Sequence, residues 1–295
     1  MYVVGNTFNL KKKKQVAVIV PASGEIPGFY EEISLDRCLT VLNNYDIILV
    51  APKELNVSWY TNKCIKKKSF VVERFDDEYF GTIERHNKLL LSEVFYRRFL
   101  SYEYILIHHL DAFVFVDCLA DWCNEKYYYV AAPWLQVNWH KQIFKSIVKE
   151  ILLSMTPINR LKFKIIWKIK GINKNTNFLV GNGGLSLRNV KLFYEASIKY
   201  KDKLSTWRYN EDGFWSIFLP LSVLSLKLPA WKKALKFSFD VNPSICFNNN
   251  KNKLPFGCHA WFRNDFQYAG NFDFWTPLIE KEISIKINNS LTNSH

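Results

Sequence analysis

The chain has 295 residues, 48% of them hydrophobic and 16% aromatic, a composition that excludes a disordered or fibrous protein and suffices for a large buried core. Forty Lys and Arg against 27 Asp and Glu leave a formal charge of +13, so polyanions are the expected partners: nucleic acid, anionic lipid headgroups or phosphorylated small molecules. No apolar run reaches the roughly eighteen residues of a membrane span, and the N-terminal "MYVVGNTFNLKKKKQ" lacks a signal-peptide core, so a cytoplasmic protein is expected.

In chain order, "QVAVIVPA" (Gln15 to Ala22) is a continuous apolar, β-branched run, the pattern of a strand buried on both faces. Leu35, Cys38, Leu39 and Leu42 follow at helical spacing. "YDIILVAP" and "KSFVVERF" read as strands, residues 83–100 as one long amphipathic helix, and "YEYILIHHLDAFVFVD" as a further buried strand. Strands alternating with helices predict an α/β fold with a mainly parallel sheet and right-handed crossovers. Residues 141–170 read as basic amphipathic helix, with Ile143, Ile147, Ile151 and Leu152 on one side and Glu150 the single acid. "NFLVGNGGLSLRNV" returns to strand and passes into a helix near Val190 to Lys203. Asn210 is placed to cap a helix that begins at "NEDGFWSIFL". The tail beyond Pro277 is rich in Lys, Asn and Ser, and its end is expected to be poorly ordered.

The six cysteines form no CxxC pair and are expected to be reduced. Lysines cluster at segment edges (Lys11 to Lys14; Lys63 with Lys66 to Lys68), which suits a surface role better than a nucleic-acid groove.

Four stretches carry chemistry. His108, His109 and Asp111 fall at or near the carboxyl end of a central strand, the edge where ligands gather in open α/β sheets. An aspartate there is costly unless paired or ligated, although it can also cap a turn. Gly181, Gly183 and Gly184 crowd "VGNGGLSLR", which marks either a tight turn or bulge, or a surface where something must approach backbone. Glu211 and Asp212 open a helix, where acids also serve the helix dipole. "GCHAW" offers His259 beside Trp261, a packed histidine or a partner for Asp111 around a divalent ion.

Taken in order, "LDAFVF", "VGNGGLSLR", "NEDGFWS" and "LPFGCHAW" resemble the DUF5672 family, a group similar to GT-A glycosyltransferases, over roughly Val16 to Phe266. The resemblance implies a single GT-A (Rossmann-like) domain spanning residues 1–295. Residues 15–135 would be its nucleotide-binding half, 141–170 a basic helical insertion, and 176–275 the acceptor and catalytic half. It implies transfer of a sugar from a nucleotide-sugar donor to a glycan or lipid-linked glycan, in bacterial surface polysaccharide synthesis such as lipopolysaccharide or capsule. Asp111 stands where such enzymes begin a DxD element. Two registers are open: "DAF", with Phe113 in the second acidic place, and "HLD", with His109 first and Asp111 second. Asp111 and His259 would hold Mn2+ or Mg2+. Gly183 and Gly184 would let sugar approach backbone, with Asn182 bonding a hydroxyl. Asp212, with Glu211 second, would be the base, and Lys88 and Arg188 would contact the diphosphate. Trp261 would join the substrate site, and "PASGE" would receive the nucleotide base.

Membrane contact by the 141–170 helix, on an anionic inner face, and a packed lid are equally consistent with its pattern. Two other classes compete. A nucleotidyltransferase would carry a basic, glycine-rich loop after the first strand, where "PASGEIPG" has no Lys or Arg. A nucleic-acid- or glycan-binding module would exploit the charge and the aromatics, although no nucleic-acid partner is expected.

Overall fold

The computed structural model describes residues 13–280 apart from 23, 66, 68, 136–137, 155–156, 158–179 and 224. In chain order the strands are β1 (Lys14–Pro21), β2 (Asp46–Pro52), β3 (Phe70–Phe75), β4 (Tyr102–His108), β5 (Phe113–Val114), β6 (Tyr129–Val130), β7 (Leu185–Asn189), β8 (Ser238–Phe239) and β9 (Gly257–Cys258). Six of them form one sheet in the order β3-β2-β1-β4-β7-β6. The apolar runs supply its four parallel strands, and β7 is inserted antiparallel to both β4 and β6.

Alternation along the strands divides the core in two. Val18, Val20 and Leu106 point to one face, with Leu35 and Cys38 of the helix Phe29–Val41. Ala17, Ile19, Ile105 and Ile107 point to the other, with Leu89, Phe95 and Phe193. A second sheet, β5-β9-β8, stands beyond the carboxyl end of β4.

Three elements differ from the sequence reading, each for a local reason. The stretch 102–117 is not one strand: it leaves the main sheet at His108, turns through residues 109–112 and resumes as β5 in the second sheet. The long helix over 83–100 is two, Ile83–Leu91 and Glu93–Arg97, because Ser92 is extended and its hydroxyl accepts from Phe95 N to start the second. The segment after Asn210 is one α-turn, Glu211–Gly213, followed by π-helix Phe214–Phe218. Asn210 sits at the N-cap position, but its side chain accepts from Asn87 Nδ2 instead of capping.

Of the basic segment, the helix Asn138–Ser154 is described, and Ile147 and Ile151 on it are buried in the core that holds Phe214. Lys203 and Tyr209 both reach Glu150. Burial of Ile143, most of the rest of that segment and the tail beyond 280 lie outside the described residues. Among the described residues no helix is long and apolar enough to cross a membrane, and all six cysteines are free thiols.

Candidate active site

A cavity of about 760 Å³ opens at the carboxyl edge of the parallel strands. Its walls include residues far apart in sequence: Pro21, Ala22 and Gly24 at the end of β1, His109 to Asp111 after β4, Asn182 to Gly184 before β7, Asn210 to Asp212, and Asp240 with His259 from the second sheet. "PASGE" therefore contributes to this cavity, as do the acidic strand end, the glycine cluster and the acid pair.

The second sheet explains one wall by its register. Phe113 pairs with Cys258 across antiparallel β5 and β9, and Phe239 pairs with Cys258 across parallel β8 and β9. The residues that run off these strand ends, Asp111, His259 and Asp240, then lie side by side in the order of the sheet. His259 Nε2 is 3.0 Å from Asp111 Oδ1, an ion-pair approach without hydrogen-bond alignment, and Nδ1 is 2.9 Å from Asp240 Oδ1. Burial alone would push His259 down, but Asp111 and Asp240 outweigh it and raise the imidazole to about 10. Burial likewise pushes Asp111 up, and His259 reverses this to hold it well below the usual carboxylate range.

His109, Asp111 and His259 each present a ligand atom within 4.8 Å of the others. Of the two registers, "HLD" is the one that meets in the cavity. The other fails because Phe113 is buried in β5 and packs on Trp261. His109 Nε2 lies 3.1 Å from His86 Nε2 on the helix Ile83–Leu91, and burial holds both imidazoles low, His86 at about 4. His108 is fully buried on the sheet and lines no part of the cavity.

The glycines answer to the protein's own side chains. A Cβ on Gly184 would overlap the His259 ring, one on Gly183 would overlap Glu211 Oε1, and one on Gly181 would overlap Ser216 and Trp134. The cluster is thus a close-approach surface where the histidine and the glutamate press against backbone. Asn182 is 4% exposed, and its side chain bonds Leu185 N and reaches His259 Nδ1 at 3.1 Å.

Glu211 and Asp212, which also line the cavity, have separate fates. Arg188, wholly buried, donates to Glu211 Oε1 at 2.9 Å, to Tyr96 Oη at 2.9 Å and from Nε to Ser186 Oγ at 3.0 Å. Glu211 Oε2 is buried with no hydrogen-bond partner among the described residues. Asp212 has no such clamp: burial, then the charges of Glu211 and Asp240, raise it to about 7. A carboxyl group near neutrality inside a cavity suits proton transfer.

Three expected residues are not at the cavity. Arg188 cannot meet a diphosphate because its guanidinium is spent on Glu211 behind the wall. Lys88 is exposed on the outer side of its helix. Trp261 is buried, donating from Nε1 to Ser34 Oγ. Three others went unnoticed in the sequence. Arg263 is the one Lys or Arg among the described residues that line the cavity, and its position four residues past His259 was a usable signal. Asp240, an acid inside the aromatic run "KFSFDV", gave the same signal as Asp111. His86, a single histidine on an amphipathic helix, gave none.

Residues 69–259 match the family described as "Protein of unknown function (DUF5672)". No curated protein matches the chain in sequence. Among solved structures, the galactosyltransferase LgtC, in complex with donor and acceptor sugar analogs, is 11% identical with a TM-score of 0.52, the alignment covering 91% of this chain and 95% of that one. The glycosyltransferase GlyE of Streptococcus pneumoniae is 12% identical with a TM-score of 0.49, covering 96% of this chain and 64% of that one. Core-mannan synthase A of Aspergillus fumigatus, in a Mn/GDP form, is 12% identical with a TM-score of 0.44, covering 70% of each. At these identities the likeness is one of fold, and the fold is of GT-A type.

Proposed function

The chain belongs to the DUF5672 family, and on that footing we propose that it is a glycosyltransferase that moves a sugar from a nucleotide-sugar donor to a saccharide acceptor. The observation that carries this reading is the convergence of Asp111, Gly183, Gly184, Glu211, Asp212 and His259 on one cavity in a fold of GT-A type. The reaction breaks the bond between the anomeric carbon and the diphosphate oxygen and forms one to an acceptor hydroxyl oxygen. Charge grows on the leaving diphosphate and on the sugar ring, as in other oxocarbenium-like chemistry.

Asp212 takes the acceptor proton, since it is unclamped and half-protonated near neutral pH. Glu211, pinned through Oε1 by Arg188, holds its charge beside Asp212 and helps to keep that carboxyl high. Arg263, on the cavity wall with Nε and Nη2 held by Asp265, meets the diphosphate through its remaining Nη1 in the role that Arg188 and Lys88 cannot fill. Asp111, His259 and His109 fit a divalent cation: three donors converge, Asp111 Oδ1 has no aligned hydrogen bond, and a carboxylate backs His259. Such an ion, Mn2+ or Mg2+, supplies positive charge to the leaving diphosphate when bound.

The acceptor is read as a glycan, free or lipid-linked, of the kind assembled on bacterial surfaces. Ile26 and Ile83, exposed at the rim of the cavity, suit an acceptor with an apolar portion, and exposed Lys145 and Lys149 suit an anionic membrane face. A thermal-shift series with nucleotide sugars, each with and without Mn2+, tests the reading. One donor class is expected to raise Tm, more so with the ion. No shift from any donor, beside salt-sensitive binding of single-stranded DNA, would overturn it in favour of a nucleic-acid module.

A further inference from the structure

His259 Nδ1 has two neighbours that demand opposite things of it. Asp240 Oδ1, at 2.9 Å, can only accept, so it requires a proton on Nδ1. Asn182 Nδ2, at 3.1 Å, can only donate, so it requires a lone pair there. The amide cannot reverse to suit the ring, because Asn182 Oδ1 already accepts from Leu185 N at 3.0 Å. A charged acceptor outcompetes a neutral donor, so Asp240 prevails.

We propose that Asp240 is a positioning residue that keeps the proton on His259 Nδ1 and so leaves Nε2, on the Asp111 side, as the nitrogen that takes a divalent cation. The assignment rests on the metal reading of this site given above. The fold builds the contact in at the level of backbone. Parallel pairing of β8 with β9 brings residue 240 beside residue 259, and His259 N donates to Phe239 O at 2.9 Å. Asn271, wholly buried, then donates from Nδ2 to both Asp240 O, at 2.7 Å, and Ala260 O, at 3.1 Å, tying the two strand ends together. Asp240 itself is 2% exposed. Between its two carboxylates the ion-free ring carries a proton on each nitrogen, and a cation binding Nε2 displaces the one there while Asp240 keeps the one on Nδ1. Without the Asp240 carboxylate, Asn182 donates to Nδ1, the one proton of the neutral ring sits on Nε2, and the ring faces Asp111 with an N–H where a ligand lone pair is needed.

Mn2+ titration of the full chain, without donor or acceptor, measures this directly. Asp240→Ala is expected to weaken Mn2+ binding about 10–100-fold, the range for loss of such a partner. Asn182→Ala combined with Asp240→Ala is expected to recover part of that loss, because nothing then donates to Nδ1. Asp240→Leu, which keeps the side-chain size but offers no acceptor, serves the same cycle should the alanine variant not fold. In the Zn2+-loaded protein, a long-range 1H–15N spectrum is expected to show His259 protonated at Nδ1 and bound through Nε2. Wild-type Mn2+ affinity in folded Asp240→Ala, or equal losses with and without Asn182, overturns the assignment while leaving the metal site standing. Absence of Mn2+ binding by the wild-type chain removes the metal reading, and this proposal with it.

Discussion

The cavity has two acidic walls, and they are built on opposite rules. On one, Asp111 and Asp240 flank His259, so two carboxylates share one cation and burial is compensated by pairing. On the other, Arg188 compensates Glu211 alone, and half-buried Asp212 is left among like charges. The same residue type is thus held firmly ionised at Asp111 and lifted toward neutrality at Asp212. A carboxylate's role follows from which partners the fold sets beside it.

The contrast breaks most sharply at Asp212. Asp212→Asn is expected to lower the transfer rate about 10²–10⁴-fold in an assay of nucleoside diphosphate release, with no loss of Tm. The wild-type pH profile sharpens it: kcat/KM is expected to rise with pH through about 7, as Asp212 loses its proton, and the mutant to lose that limb. Stability carries the opposite sign. A carboxyl group whose folded pKa is raised stabilises the native state below the ordinary carboxylate pKa. That contribution is lost as pH climbs through about 7.

Arg188→Ala tests whether the second wall needs its clamp. It leaves Glu211 buried without a cation and is expected to destabilise the fold by about 3–5 kcal/mol, read from chemical denaturation. Smaller effects are expected where charge meets ligand. Arg263→Ala is expected to weaken donor binding roughly ten- to a hundredfold, as for a lost bond to a charged group, whereas Lys88→Ala leaves donor affinity within about twofold. Equal losses from both would return Lys88 to the site.

The parallel sheet was legible because β1, β2 and β4 carry short apolar, β-branched runs set apart by segments of helical spacing, and their length and composition favour strand over buried helix. Asp111, the glycines and the acid pair were legible as residues that cost something where they stand. Asp240 emitted the same signal but stood in a short aromatic piece with no periodicity to set it on a strand. Arg188 misled because an arginine in an apolar strand looks like a ligand contact until its partner, 23 positions away, is seen.

The sequence by itself determined the layering of the molecule and the list of costly residues, since hydrophobic period and side-chain chemistry are local properties. Only the tertiary structure decided how those residues pair. The register of β8 on β9 joined Asp240 to His259, the turn after β4 delivered Asp111 to the same row, and the antiparallel entry of β7 drove Arg188 onto Glu211. Coulombic and hydrogen-bond energies depend on distances between points remote along the chain, and such distances exist only once the strands have found their neighbours.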